Sequence, residues 1–155
     1  MYSAGLGKLR ICTSLLLAIL VGLPPIFAIP APSPLGIWRT VDDHTHKARG
    51  LIRLYEQNGE IFGKIQASFN PAEAKELCDR CDDDRKNKHV IGMVVIRNMK
   101  RSAANEYSGG DILDPETGQI YRCRIRMEAD GRRLVVRGYV GISLLGRSQV
   151  WFRQD

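Results

Sequence analysis

The sequence predicts an all-β protein, an antiparallel up-and-down barrel of about eight strands with at most one short helix. Its 15 glycines interrupt the 155-residue chain at short intervals, which disfavours long helices. Apolar and polar residues alternate with a period of two through much of the second half. Short turn signals separate consecutive apolar runs, and closing such a meander into a barrel removes its exposed edges.

Length and composition limit the other classes. A chain of 155 residues fits one domain, and 26% charged residues with a net charge of +6 are ordinary for a globular protein. Collagen, coiled coils, disordered tails and multi-spanning membrane proteins are excluded by the same figures.

The N-terminus has the pattern of a secretory signal peptide. Lys8 and Arg10 precede the apolar run 11–21, and the small residue Ala28 offers an exit. The alternative is an uncleaved N-terminal anchor. The run disfavours it, because it is shorter than the roughly 18–20 residues of a membrane-spanning helix. We expect cleavage after Ala28, and therefore an exported protein that is periplasmic or secreted.

The remaining chain divides into two parts. Residues 29–35 form a proline-rich leader, which we expect to be extended. Residues 36–155 form a single β-barrel domain.

The strands follow from runs and turns. Asn58-Gly59 is a strong two-residue hairpin signal because both residues tolerate positive φ. Pro71 can open one helical turn over 71–77. The strands are expected at 36–43, 50–57, 60–67, 90–98, 106–113, about 121–127, about 133–140 and 147–153.

The sixth strand alternates strictly. Its inward face carries Tyr121, Cys123, Ile125 and Met127. Cys123 is therefore expected to be a buried, inert thiol. The outward arginines of this strand and of the next form one basic patch, made of Arg122, Arg124, Arg126, Arg133 and Arg137. We interpret the patch as a solvated face, with weak contact to anionic envelope surfaces as the alternative. Aromatic residues are not interleaved with this charge, so nucleic acid is not expected as a partner.

Cys78 and Cys81 lie in the long loop 71–89. In an oxidising compartment we expect a structural disulfide between them. A redox motif and half of a zinc site are the alternatives. A redox pair needs a following helix, which the acidic sequence after Cys81 does not supply. Zinc needs further ligands, and the candidates are His44, His46 and His89. We expect no metal and no cofactor.

Three segments resemble the exported bacterial family called domain of unknown function 2147. They are the opening Gly36-Ile37-Trp38, the stretch Gly109–Tyr121 and the ending Leu134–Arg153. The cysteine pair followed by Ile91-Gly92-Met93 is also similar. The resemblance covers 36–153 and implies an exported, lipocalin-like barrel, with no established activity or catalytic residues to transfer.

A looser likeness to the lipocalins concerns barrel closure. Gly36 and Trp38 match the Gly-x-Trp of a first lipocalin strand, which a basic residue near the last strand meets, here Arg153 or Arg147. An indole under a guanidinium would close one barrel end by apolar burial and cation–π attraction.

The sequence contains no constellation typical of a nucleophilic enzyme, and we expect a non-enzymatic protein. An eight-stranded barrel either fills with side chains or holds one small ligand. We expect a small apolar ligand in the interior, lined by Trp38, Tyr121, Tyr139 and Trp151. The alternative is a structural or interaction protein of the cell envelope with a filled barrel. The sequence predicts no oligomeric state.

Overall fold

A computed structural model describes residues 32–42 and 45–154. The described chain contains eight strands and a single 3-10 turn, Pro71–Lys75. The strands are β1 (Gly36–Val41), β2 (Ala48–Gln57), β3 (Glu60–Ser68), β4 (Val94–Ala103), β5 (Glu106–Leu113), β6 (Ile120–Met127), β7 (Arg133–Tyr139) and β8 (Gly146–Arg153). None of the helical structure in these ranges is long and apolar enough to cross a membrane.

The strands form a closed barrel. Each strand pairs antiparallel with the next, and β8 returns to β1 through the pairs Trp38–Arg153 and Arg39–Phe152. This arrangement confirms the all-β, eight-stranded up-and-down fold, and within residues 32–42 and 45–154 the only helical element is one short turn.

The two ends of the barrel differ. At the closed end, short turns join β2 to β3, β4 to β5 and β6 to β7, and residues 32–35 precede β1. At the open end lie the four other connections, 42–47 (described at 42 and 45–47), 69–93, 114–119 and 140–145. Binding residues lie on loops more often than on tight turns, so the open end is the more favourable place for a binding site.

The half of the barrel nearest the closed end is filled with large side chains. Trp38 and Trp151 are 0% and 1% exposed. The other large side chains that are almost completely buried are Leu54, Ile96, Met99, Ile125, Met127 and Leu134. Interiors packed in this way resist both deletion and insertion of volume.

The fourth strand lies later in the chain than the pattern predicts. It was expected at 90–98 and is found at Val94–Ala103. Gly92 has φ of 89° and belongs to a turn, so the β-branched residues before it do not extend the strand. Asn98 has φ of 58°, and the register of β4 against β3 shifts between Gly63 and Ile61. Ile96 and Met99 therefore both point inward although they are three residues apart, which masks the period of two.

The long connection 69–93 covers the outside of β4 and β5. Its disulfide joins Cys78 to Cys81 with a Cα–Cα distance of 5.4 Å and is fully buried, which confirms that pairing. Val95 and Leu113 alternate with the inward residues of their strands, yet both are buried. The disulfide and these two side chains belong to the same apolar cluster as the barrel interior, so the loop extends the core to the outer side of the wall.

Two arginine pairs fix the same loop. Arg85 is 3% exposed, bonds Asp83 with a 2.6 Å Nη2–Oδ2 contact and donates to the Val94 carbonyl. Arg97 on β4 holds both carboxylate oxygens of Asp84, at 2.7 and 2.9 Å. The hydrogen bond from Arg97 lowers the pKa of Asp84 to about 2. A bidentate pair of this kind also fixes the orientation of the two side chains, and hence of the loop relative to β4.

The signal peptide predicted over 1–28 lies outside the described residues and stays a prediction. Of the predicted leader, 32–35 is described. Its Pro34 is buried, so this part of the leader packs against the barrel.

Candidate functional site

The inward-facing positions nearest the open end of the barrel form the region that we call the mouth. All of them are half-buried: Ile65, Ile112, Tyr121, Gly138 and Gln149. Ile65 and Ile112 pack against the buried core. The Trp151 indole donates to Gln149 Oε1 at 3.1 Å, which links the mouth to the filled half below it.

The floor of the mouth is apolar and closed. It is formed by inward residues one layer deeper, Ile52, Ile96, Cys123 and Val136, all buried. A ligand at the mouth would therefore rest on this layer and could not reach the tryptophans beneath it without repacking.

Gly138 leaves space for one methyl group in the mouth. A Cβ placed there would lie 3.4 Å from Ile112 Cγ2 and 3.4 Å from Tyr121 Cβ, which is ordinary contact. At Gly63, deeper in the barrel, a Cβ would meet Ile96 and Leu54 at 3.0 Å. Space is therefore left beside Tyr121 and Ile112 at the mouth, whereas the deeper layer is tightly packed.

Arg147 gives the mouth a basic rim. It is opposite Gly138 in the β7–β8 register and is exposed. A guanidinium above an apolar lining suits a ligand with an apolar body and an anionic or polar head.

Burial makes the floor thiol unreactive. Cys123 is a free, fully buried cysteine. Desolvation by burial, with a smaller effect of Asp111, raises its pKa to about 12. Since the thiolate is the nucleophile, this side chain is a packing residue at neutral pH.

At the opposite end, Trp38 closes the barrel. Arg153 Cζ lies 4.4 Å from the centroid of the indole ring. The indole Nε1 donates to the Pro34 carbonyl at 2.7 Å. The guanidinium of Arg153 also donates to the carbonyls of Gly131, Leu35 and Ser33 at 2.8, 3.0 and 2.6 Å. One arginine thus ties the indole to two chain segments, residues 33–35 and the turn between β6 and β7.

The backbone conformation at this end also explains the glycine at position 36. Gly36 has φ of 128°, a backbone region open mainly to glycine. Trp38 follows two residues later and points inward, so the Gly-x-Trp spacing places the indole under Arg153. The two basic residues considered for this role are separated: Arg153 stacks on Trp38, whereas Arg147 lies at the open end.

The structure does not place the four residues expected to line a ligand at one site. Tyr121 lines the mouth. Trp38 and Trp151 belong to the filled half. Tyr139 shares the outward side of β7 with Arg137, because alternation with the buried Leu134 and Val136 turns it away from the interior.

Sequence reasoning missed most of the mouth. Ile65, Ile112 and Gly138 were not singled out. The signal for Gly138 was available, because a glycine on the inward period of an otherwise β-branched strand leaves room for a neighbour or a ligand.

The zinc alternative finds no support in the described ranges, where no group of three His, Cys, Asp or Glu side chains could hold a metal ion. His44 lies outside those ranges.

The arginines of the predicted basic patch do share the outer face. Arg124 is directly opposite Arg137 across β6 and β7. A separate open groove of about 610 Å³ lies at the closed end, between Arg39, Arg132 and Phe152. It lies at the end of the barrel opposite the mouth.

Comparison with known proteins agrees with this architecture. The family model described as "Uncharacterized protein conserved in bacteria (DUF2147)" matches residues 36–153. The chain therefore belongs to this family. A search of the curated proteins finds no match.

One solved structure is similar over most of both chains. It is described as protein HP1028 from the human pathogen Helicobacter pylori, which belongs to the lipocalin family. The TM-score is 0.69 at 18% identity, covering 83% of this chain and 85% of that one. The likeness at this identity establishes the lipocalin-like fold.

Proposed function

We propose that this DUF2147 barrel is a non-enzymatic protein that binds one small, mostly apolar ligand at its open mouth. The observation that carries the proposal is the half-buried lining around Gly138, which stands over a closed apolar floor. Small-molecule sites in barrels commonly lie at such mouths. The lipocalin-like fold of the chain is compatible with this use.

The residues of the mouth favour binding over catalysis. Its ionisable members are Tyr121 and Arg147, and the thiol at the floor is held protonated by burial. General acid–base and nucleophilic catalysis need a group poised to exchange a proton or attack near neutral pH. A chain with this lining supports a carrier or a sensor rather than an enzyme.

We also propose that the protein works outside the cytoplasm. The Cys78–Cys81 disulfide supports this, because cytosolic thiols are kept reduced. The signal pattern over 1–28 is independent support. N-terminal sequencing of the protein from a periplasmic fraction tests it: a start near residue 29 is expected, and an intact residue 1 in the cytosolic fraction would contradict it.

The binding test uses an environment-sensitive apolar dye and native lipid extracts. The wild-type barrel should bind at micromolar concentration, equivalent to about −8 kcal/mol. Gly138→Leu places a side chain in the space beside Tyr121 and Ile112 and should weaken binding by tenfold or more. Tyr121→Trp should weaken it by the same mechanism, since its larger ring narrows the mouth.

Tyr139→Ala is the matched control. It removes an aromatic ring from the outward face of the same strand that carries Gly138, so dye affinity should not change. Thermal melting of each variant checks that the barrel is intact. Absence of micromolar binding by both dye and extracts, with a folded protein, would remove the ligand-binding function.

In that case the second candidate takes its place, a structural or interaction protein of the envelope. The filled closed half of the barrel favours it, because Trp38, Trp151 and their neighbours leave that half no room for a ligand.

A further inference from the structure

The β7–β8 loop, residues 140–145, presents apolar side chains to solvent. Val140, Ile142, Leu144 and Leu145 are 61–84% exposed. Single exposed aliphatic residues are common on protein surfaces, whereas four in six consecutive positions form a contiguous patch that needs an explanation.

The loop is held in this form by its own hydrogen bonds. The Val140 amide donates to the Leu145 carbonyl at 3.1 Å, and the Leu145 amide to the Ile142 carbonyl at 3.0 Å. Arg137 on β7 donates to the carbonyls of Ser143 and Leu144 at 2.7 and 3.2 Å. The loop's polar backbone is thus bonded to the barrel while its apolar side chains project away.

Basic residues flank this loop on the two strands that it joins. The hairpin 132–153 contains no Asp or Glu. Two of its five arginines, Arg137 and Arg147, lie near the loop, whereas Arg132, Arg133 and Arg153 lie at the closed end. Arg147 follows directly after the loop, and Arg124 on β6 adds a further charge opposite Arg137. An apolar tip with a basic collar is complementary to a surface that is anionic outside and apolar beneath.

From these observations we infer that loop 140–145 inserts into the surface of an anionic phospholipid bilayer, with Arg137 and Arg147 at the level of the headgroups. Membrane binding of such elements depends on buried apolar area together with attraction between basic residues and anionic lipids. The barrel would then stand with its open end toward the membrane. The inference does not depend on a ligand in the mouth.

A second copy of the chain suits this loop less well. Four side chains on one loop offer far less than the roughly 800 Å² per partner of a stable interface. Two such loops in contact would also bring two sets of arginines together, which like-charge repulsion disfavours.

The test is sedimentation with vesicles of equimolar phosphatidylcholine and phosphatidylglycerol. The wild-type chain should bind, and the exposed double variant Leu144→Ser, Leu145→Ser should bind at least about tenfold more weakly. Val150→Ser is the matched control, because Val150 is 39% exposed on the barrel wall and should leave vesicle binding within about twofold.

Two further arms identify the mode of binding. Vesicles of phosphatidylcholine alone should bind more weakly, and added salt should narrow the difference by screening. Leu144→Trp should give tryptophan emission that shifts to the blue on vesicles. The two native tryptophans are buried already and supply a constant background.

Vesicle binding must also be separated from ligand uptake. Gly138→Leu fills the mouth but leaves the loop intact, so it should bind vesicles like the wild type. Vesicle binding that Gly138→Leu abolishes would be ligand extraction and would overturn the inference. Absence of binding to anionic vesicles would also overturn it, as would binding indifferent to the Leu144 and Leu145 changes. A dimer in gel filtration that the double serine variant dissolves would assign the loop to a second copy instead.

Discussion

Trp38 and Arg153 are cross-strand partners at the seam between β1 and β8, and the guanidinium of one stacks on the indole of the other. The second pair of the seam repeats the combination on the outer face, where Arg39 Cζ lies 5.4 Å from the centroid of the Phe152 ring. The short seam that closes the barrel therefore has a cation–π contact on each side. Both pairs contribute to barrel closure, and the inward pair, Trp38 and Arg153, also fills the closed end.

Trp38→Ala should destabilise the protein by about 3–5 kcal/mol, the range of large-to-small changes in a core. The indole is fully buried and bonded to Pro34, so its loss leaves both a cavity and an unpaired carbonyl. Urea unfolding measures the change. An unaltered midpoint would mean that the indole does not fill the closed end.

Arg153→Ala should have a smaller effect than Trp38→Ala, and the double variant should be less destabilised than the sum of the two. Residues in direct contact couple by about 0.5–3 kcal/mol in such cycles. Arg147→Ala is the control, because it lies at the other end of β8 and should combine additively with Trp38→Ala. Coupling of Trp38 to Arg147 rather than to Arg153 would contradict the stacking.

Thiol counting tests the disulfide. The chain without residues 1–28 has three cysteines. Denatured without reductant, it should give one free thiol, from Cys123, and three after reduction. Replacing Cys78 and Cys81 by alanine should lower the free energy of unfolding by about 2 kcal/mol or less, because the loop that they close is very short. Three free thiols before reduction, or stoichiometric zinc, would rule the pairing out.

The buried thiol predicts a pH dependence at the alkaline side. Burial raises the pKa of Cys123 to about 12 from an ordinary value of 9.0. The folded state therefore keeps a proton that the unfolded chain loses, so its contribution to stability is complete below about pH 9 and is lost as the pH rises toward 12.

Cys123→Ala isolates this effect from tyrosine and lysine titration. The wild type should lose stability relative to the variant above pH 9, by at most about 1.4 kcal/mol for each pH unit. Urea unfolding of both proteins at a series of alkaline pH values measures the difference. Parallel curves would mean that the thiol ionises normally in the folded state.

The sequence predicts those parts of the fold in which the pattern of side chains and the geometry of the backbone agree. β6 and β7 alternate without interruption, so their faces, the arginine patch and the burial of Cys123 follow directly from the period of two. The start of β1 could be predicted because Gly36 and Trp38 each have a structural role there. The glycine adopts a positive φ, and the indole fills the closed end.

Prediction fails where the backbone departs from regular geometry. The left-handed residues Asn98 and Gly109 shift the inward phase of β4 and β5, and no periodicity calculation can follow a bulge that it does not anticipate. The four residues expected to line a ligand are also separated in the structure, for a related reason. Aromatic side chains were expected to line a cavity, whereas both tryptophans fill the closed end and the open space lies beside a glycine.

Two inward glycines give a final test of where the barrel is full and where it is open. At Gly110 a Cβ would collide with the Arg97 carbonyl and lie 2.7 Å from Met99 Sδ. At Gly138 the same atom would make only ordinary contacts, at 3.4 Å or more. Gly110→Ala should therefore destabilise the protein by about 1–3 kcal/mol, as overpacking of a core does. Gly138→Ala should leave the stability unchanged or raise it by up to about 1 kcal/mol, since alanine restricts the unfolded chain. Urea unfolding compares the two variants, and equal losses at both positions would mean that the mouth is packed as tightly as the core and has no room for a ligand.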